Sequence, residues 1–118
     1  MISSLKIAGH TYEVKPFKGK SSSDLWGWLD TSSRTIHVNT NKGKSRDRAM
    51  TIFHESLHGI VDSYGINATM TDNEEEYLVR ILELAVTQLF SENKAFTRRL
   101  QGSSWRQWDD ALQRSLQW

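Results

Sequence analysis

Ile52-Phe53-His54-Glu55-Ser56-Leu57-His58-Gly59-Ile60 is the stretch on which the reading of this chain turns. Around it, Met50, Phe53, Leu57, Ile60, Val61 and Tyr64 recur at spacings of three and four, one stripe of an α-helix. Ser45 stands where such a helix can be capped, and Gly65 where a left-handed residue can end it, so the pattern predicts a helix over residues 45–64. Histidines at i and i+4 lie one above the other on a helix and can share one tetrahedral metal ion. With Leu57 as the centre of the stripe, His54 lies at about +60°, His58 at about +100° and Glu55 at about +160°. That places the imidazoles on the flank of the core face. Glu55 is expected nearly toward solvent, where it reaches a water and not the metal itself.

Upstream of the helix the period is two. Leu5 and Ile7, then Tyr12 and Val14 after Gly9-His10, give short alternating runs. Pro16 to Asp24 is a polar loop. Trp26-Gly27-Trp28-Leu29-Asp30 and Arg34-Thr35-Ile36-His37-Val38-Asn39 flank Thr31-Ser32-Ser33 as a hairpin. Downstream, Thr71-Asp72-Asn73-Glu74 fits a capping box. Leu78, Ile81, Leu82, Ala85 and Leu89 then make the stripe of a second helix, over 72–91. Residues 93–100 and 104–116 can form two shorter helices, with Gly102 as the break. Strands followed by helices, without βαβ alternation, indicate an α+β fold: a small antiparallel sheet of about three strands over 1–40, then the helices. At 118 residues the chain reads as a single domain, with 93–118 as a C-terminal helical tail.

Two imidazoles leave a metal short of protein ligands, since a catalytic zinc takes three and keeps an open position. The chain has no Cys, and its remaining histidines, His10 and His37, precede the motif. In the extended spacing HExxHxxGxxH the Gly position holds Val61 and the last ligand position Tyr64. The third ligand is therefore expected to be a carboxylate. With Leu78 as the stripe centre of the second helix, Glu74 lies at about −40°, Glu75 at about +60° and Glu76 at about +160°. This favours Glu75, beside an antiparallel His-bearing helix, ahead of Glu76 and then Glu74. Asp62, at i+4 from His58, is a fourth candidate.

Composition narrows the classes further. Fifteen basic against fourteen acidic residues give +1, a balance that calls for neither nucleic acid nor an anionic membrane. No apolar run approaches a membrane span, the first residues lack the apolar stretch of a signal peptide, and the absence of Cys fits a cytoplasmic setting. Trp105, Trp108 and Trp118 lie among Arg98, Arg99, Arg106 and Arg114. Aromatics interleaved with arginines can bind nucleic acid, but the spacing of Trp105, Trp108 and Leu112 favours an amphipathic helix covering the domain. Trp26 and Trp28 share a sheet face, as core or as the floor of a substrate groove. His37 alternates with Ile36 and Val38 and is expected on the other side of the sheet from those two residues, outside the site.

Trp28-Leu29-Asp30, Thr35-Ile36-His37-Val38, the HExxH segment Ile52–Ile60 and Glu75-Glu76-Tyr77-Leu78-Val79-Arg80-Ile81-Leu82 together resemble small phage and prophage zinc peptidases of the ImmA/IrrE kind. The resemblance spans roughly residues 5–97 and is strongest at the HExxH helix. It implies a minimal zincin fold and a zinc ion held by His54, His58 and Glu75, the glutamate three residues before core-facing Leu78. It also implies Glu55 as general base, and a peptide or protein substrate of a regulatory kind. The chain lacks the leucine-methionine-proline segment of better-known members and has Gln88-Leu89-Phe90 nearby instead. The alternatives carried beside this reading are a zincin-fold protein that only binds, and a nucleic-acid-associated module using the C-terminal Trp and Arg residues.

Overall fold

A computed structural model describes residues 2–20 and 25–102. The elements run β1 (Ser4–Ile7), β2 (His10–Phe17), β3 (Gly27–Asp30), β4 (Thr35–Asn39), α1 (Ser45–Ser63), a 3-10 turn (Ile66–Thr69), α2 (Asp72–Glu92) and α3 (Lys94–Gln101). The expected C-terminal helix over 104–116, with Trp105, Trp108 and Arg106, lies outside the described residues. The chain divides into two compact units, residues 1–83 and 84–118, with the boundary inside α2.

The fold class is α+β, as the pattern predicts, but the sheet differs from expectation. It has four strands in the order β1-β2-β4-β3 and is mixed, with β2 and β4 parallel. The burial of β4 supplies the reason. Thr35, Ile36, Val38 and Asn39 are all buried, so this strand takes a central place, and the glycine- and tryptophan-bearing β3 is left at the edge. Reaching β4 by way of the edge strand reverses the chain direction relative to a simple meander. Ala8 and Gly9, at φ 51° and 81°, make the tight β1–β2 turn, whose two positive φ values match strand twist. Asp30 Oδ1 accepts bonds from the backbone N–H groups of Ser32 and Ser33 and closes the β3–β4 turn. The amide of buried Asn39 accepts from Gly19 N–H and donates to Leu25 O, tying the loop before β3 to the end of β4.

α1 begins one residue earlier in its capping than expected. Lys44 is the N-cap, and its N–H donates to Asp47 Oδ2 at 2.8 Å. Gly65 follows the helix in the left-handed region at φ 72°, as predicted. The single buried stripe needs correction, because α1 is buried on two faces. Ile52 packs into the sheet core with Ile7, Tyr12, Val14, Ile36 and Val38. Leu57 and Val61 pack with Val79 of α2, with Phe53, Leu78 and Leu82 around them. Gly59 lies against the sheet, where a Cβ would meet Ile7 and Tyr12 side chains at 3.3 and 3.5 Å. Tyr12 Oη shares a hydrogen bond with Ser63 Oγ at 3.1 Å.

The capping box of α2 is present in both directions: Thr71 N–H donates to Glu74 Oε1, and Glu74 N–H to Thr71 Oγ1. Its stripe is centred one residue later than expected. Val79 is fully buried and Ile81 is 44% exposed. In the second unit, Asn93 Nδ2 donates to Leu89 O and Thr97 Oγ1 to Phe90 O, linking the end of α2 to α3. No helix among the described residues is long and apolar enough to cross a membrane.

Gly27 joins sheet to helix most closely. A Cβ there would stand 2.5 Å from the His37 carbonyl oxygen and 2.6 Å from Thr51 Cγ2. Gly27→Ala is expected to lower unfolding free energy by about 1–3 kcal/mol through overpacking. Urea titration should show a lower midpoint at unchanged slope. A wild-type midpoint would refute the close packing.

Candidate metal centre

The helical repeat brings His54 and His58 to the same side of α1, with ring centroids 5.0 Å apart and planes at 67°. Ligand atoms of His54, Glu55 and His58 lie within 4.8 Å of one another. α2 crosses this face antiparallel, since its early residues meet His58 and its later residues meet His54. Glu75 Oε2 lies 2.5 Å from His58 Nδ1, and Glu83 Oε2 lies 2.7 Å from His54 Nδ1. Between them, Glu76 spans both rings, with Oε1 3.1 Å from His54 Nε2 and Oε2 3.0 Å from His58 Nε2.

The rotation of α2 explains this convergence. Centred on Val79, about 100° per residue puts Glu75 at about −40°, Glu83 at about +40° and Glu76 at about +60°. All three border the face that meets α1. Centred on Leu78 instead, Glu76 turns away at about +160° and Glu83 at about +140°. The signal was present in the sequence: Glu76 and Glu83 are seven residues apart, two turns along one line of the helix.

Of the other candidates, Glu74 is engaged in the helix cap, while Asp62 lines the same opening as His58 and Glu75. Glu74 serves the helix cap, and its bonds from Thr71 hold its carboxyl below the ordinary range. Asp62 Oδ1 accepts from Asn67 Nδ2 at 3.1 Å. His37 stacks on Trp28, centroids 3.9 Å apart, as a cross-strand pair outside the cluster. It therefore stands on the same side of the sheet as Trp28, opposite the buried Ile36 and Val38, as the alternation predicts. Trp26 and Trp28 are both more than 40% exposed, so neither is core.

Glu55 is not turned to solvent as the one-stripe geometry expected. It is 9% exposed, because the second buried face of α1 lies against the sheet. It lines two adjoining openings. One, of about 470 Å³, has Trp26, Met50, His54, Glu76 and Arg80 in its wall. The other has Trp28, Leu29, His58 and Glu75. Together they form a groove between the edge strand β3 and α2, with α1 as its floor. Burial pushes the Glu55 carboxyl up, assisted by the charges of Glu76 and Glu75 and opposed by the two histidines. Burial also raises Glu76, but the bond from Arg80 and both histidines outweigh it and hold that carboxyl below its usual value.

The donor set suits a divalent ion. Four carboxylates surround two imidazoles, with Arg80 as the permanent cation bonded among them. Ligand atoms about 2.0–2.1 Å from an ion at tetrahedral angles lie about 3.3 Å apart. The two Glu76–Nε2 separations, 3.0 and 3.1 Å, are hydrogen-bond distances, each to a different oxygen of Glu76, and the 2.5 Å Glu75–Nδ1 separation is that of a shorter, charge-assisted hydrogen bond. Comparison of the chain with protein-family models, with curated proteins and with solved structures returns no match.

The raised Glu55 carboxyl has a consequence for stability in the metal-free chain. Above the ordinary carboxyl value of 4.5 the unfolded chain has lost this proton while the folded chain resists losing it. The folded state therefore bears a cost that begins above that pH and is complete above the folded value. Glu55→Gln removes it. Urea unfolding in EDTA should give a higher midpoint for the variant at pH 7 and equal midpoints at about pH 3.5. A variant less stable than wild type at pH 7 would refute the burial cost.

Proposed function

We propose that the chain is a zinc-dependent peptidase of minimal zincin type, with His54, His58 and Glu76 holding the ion and Glu55 acting as general base. The observation that carries this reading is the meeting of both Nε2 atoms on one carboxylate, with a second, buried carboxylate beside them. Glu76 takes the ligand role that spacing assigned to Glu75, because it faces the nitrogens that both rings turn inward. When bound, zinc supplies Lewis acidity, polarising a carbonyl and lowering the pKa of water toward about 7.

The residues do the rest. Glu55 adjoins His54 in sequence but points along the groove. From there its carboxylate can take a proton from an attacking water and return it to the leaving amine. Its burial keeps bulk water away from that exchange and favours a base stronger than an exposed carboxylate. β3 pairs only with β4 among the described strands, so its outer edge can align an extended peptide beside the groove. Arg80, held on Glu76, places positive charge at the same opening.

Zinc-reconstituted protein is expected to carry one zinc per chain by native mass spectrometry, and His58→Ala none. Glu76→Gln should weaken zinc binding much more than Glu74→Gln. Glu55→Gln should retain zinc and lose peptide hydrolysis by about two to four orders of magnitude, read by mass spectrometry on a mixed peptide library. Loss of zinc in Glu55→Gln would make Glu55 a ligand instead. Zinc bound by wild type without any cleavage would leave a binding protein.

A further inference from the structure

We propose that Glu83 and Glu75 are positioning residues, each fixing one imidazole through Nδ1 so that its Nε2 is presented to the ion. The inference rests on the reading that His54 and His58 bind metal through Nε2.

Each imidazole has two nitrogens, and the structure assigns them different partners. On the inner side both Nε2 atoms meet one carboxylate, Glu76. On the outer side each Nδ1 has its own carboxylate, Glu83 for His54 and Glu75 for His58. A ligating histidine must present an unprotonated nitrogen to the metal and carry its proton on the other. A carboxylate at Nδ1 selects that tautomer, since Nδ1–H then donates to it. It also fixes the ring plane.

Burial separates the roles further. The side chains of Glu75 and Glu83 are 20% and 21% exposed, against 39% for Glu76. The shielded carboxylates stand behind the rings and the more open one stands at the groove. A shielded ion pair also loses less to solvent screening than an exposed one. The spacing along α2 serves this arrangement. Glu75 and Glu83 are eight residues apart and bracket Glu76, so one helix reaches the back of both rings and the front of both.

The experiment uses the full chain with zinc alone as ligand. Competition titration against a chromophoric chelator measures affinity for wild type, Glu83→Gln, Glu75→Gln, His54→Ala and, as control, Glu92→Gln. Nitrogen-15 NMR of labelled histidines in the zinc-loaded chains reads which ring nitrogen carries the proton. Glu83→Gln and Glu75→Gln are expected to weaken zinc binding about ten- to a hundredfold at unchanged stoichiometry. Wild type should show Nδ1–H rings for both His54 and His58, with the Nδ1–H signal of the affected ring shifted in each variant. A role confined to folding would leave these ring signals unmoved. Two results overturn the proposal. One is zinc affinity and ring signals equal to wild type in both variants. The other is a loss as complete as in His54→Ala, which would make the carboxylate a ligand. Failure of wild type itself to bind zinc would overturn the metal reading on which the proposal rests, and is distinguished by that.

Discussion

Val79 sets the rotation of α2, and most of the candidate site follows from that one buried side chain. It is fully enclosed against Leu57 and Val61 of α1. Burying a valine contributes about 1.5–3 kcal/mol, enough to decide between helix rotations differing by one residue. With Val79 inward, the flanking positions on α2 are Glu75, Glu76 and Glu83, and all three reach the histidines of α1. Apolar packing thus specifies the polar cluster beside it. The reverse is weaker, because clustered carboxylates carry desolvation and mutual repulsion that imidazole contacts only partly offset.

The position of Glu55 depends on the other side of the same helix. α1 is a middle layer, with the sheet against Ile52 and Gly59 and α2 against Leu57 and Val61. A residue about 160° from one buried face of a helix is exposed only where that helix has a single buried face. Here the sheet encloses it. Gly27 and Gly59 permit the close approach, since at each a Cβ would press on side chains or backbone of the opposing element. A buried carboxylate whose pKa is raised, in a groove, is the kind of group that functional sites keep at some cost to stability.

Much of this was legible in the sequence and some was not, for physical reasons. The helix bounds were readable because caps and stripe agreed: Thr71 and Glu74 bond reciprocally, and Gly65 takes the left-handed conformation. The two histidines were readable because i, i+4 spacing is a property of one helix and needs no partner. What a single helix cannot reveal is how many neighbours it has. Leu78 as stripe centre lies one position before the fully buried Val79. From Leu78, Glu76 falls at about +160° and Glu83 at about +140°, so neither reads as a neighbour of the histidines. The parallel pairing of β2 with β4 was hidden for a related reason, because alternation gives the faces of a strand and not its neighbours.

Strand order and helix rotation meet at the groove. Placing β4 in the middle of the sheet leaves Gly27-Trp28-Leu29-Asp30 at the edge, directly beside Glu55. An edge strand carries unpaired backbone groups that natural proteins otherwise cover or blunt. β3 is short, and its residues Gly27, Trp28 and Leu29 line the openings that Glu55 also lines. An extended peptide held there would pass Glu55 and the inward side of both imidazoles in succession. The same central placement of β4 that gives the sheet its core therefore also leaves β3 at the edge, on the opening lined by Glu55, His58 and Glu75.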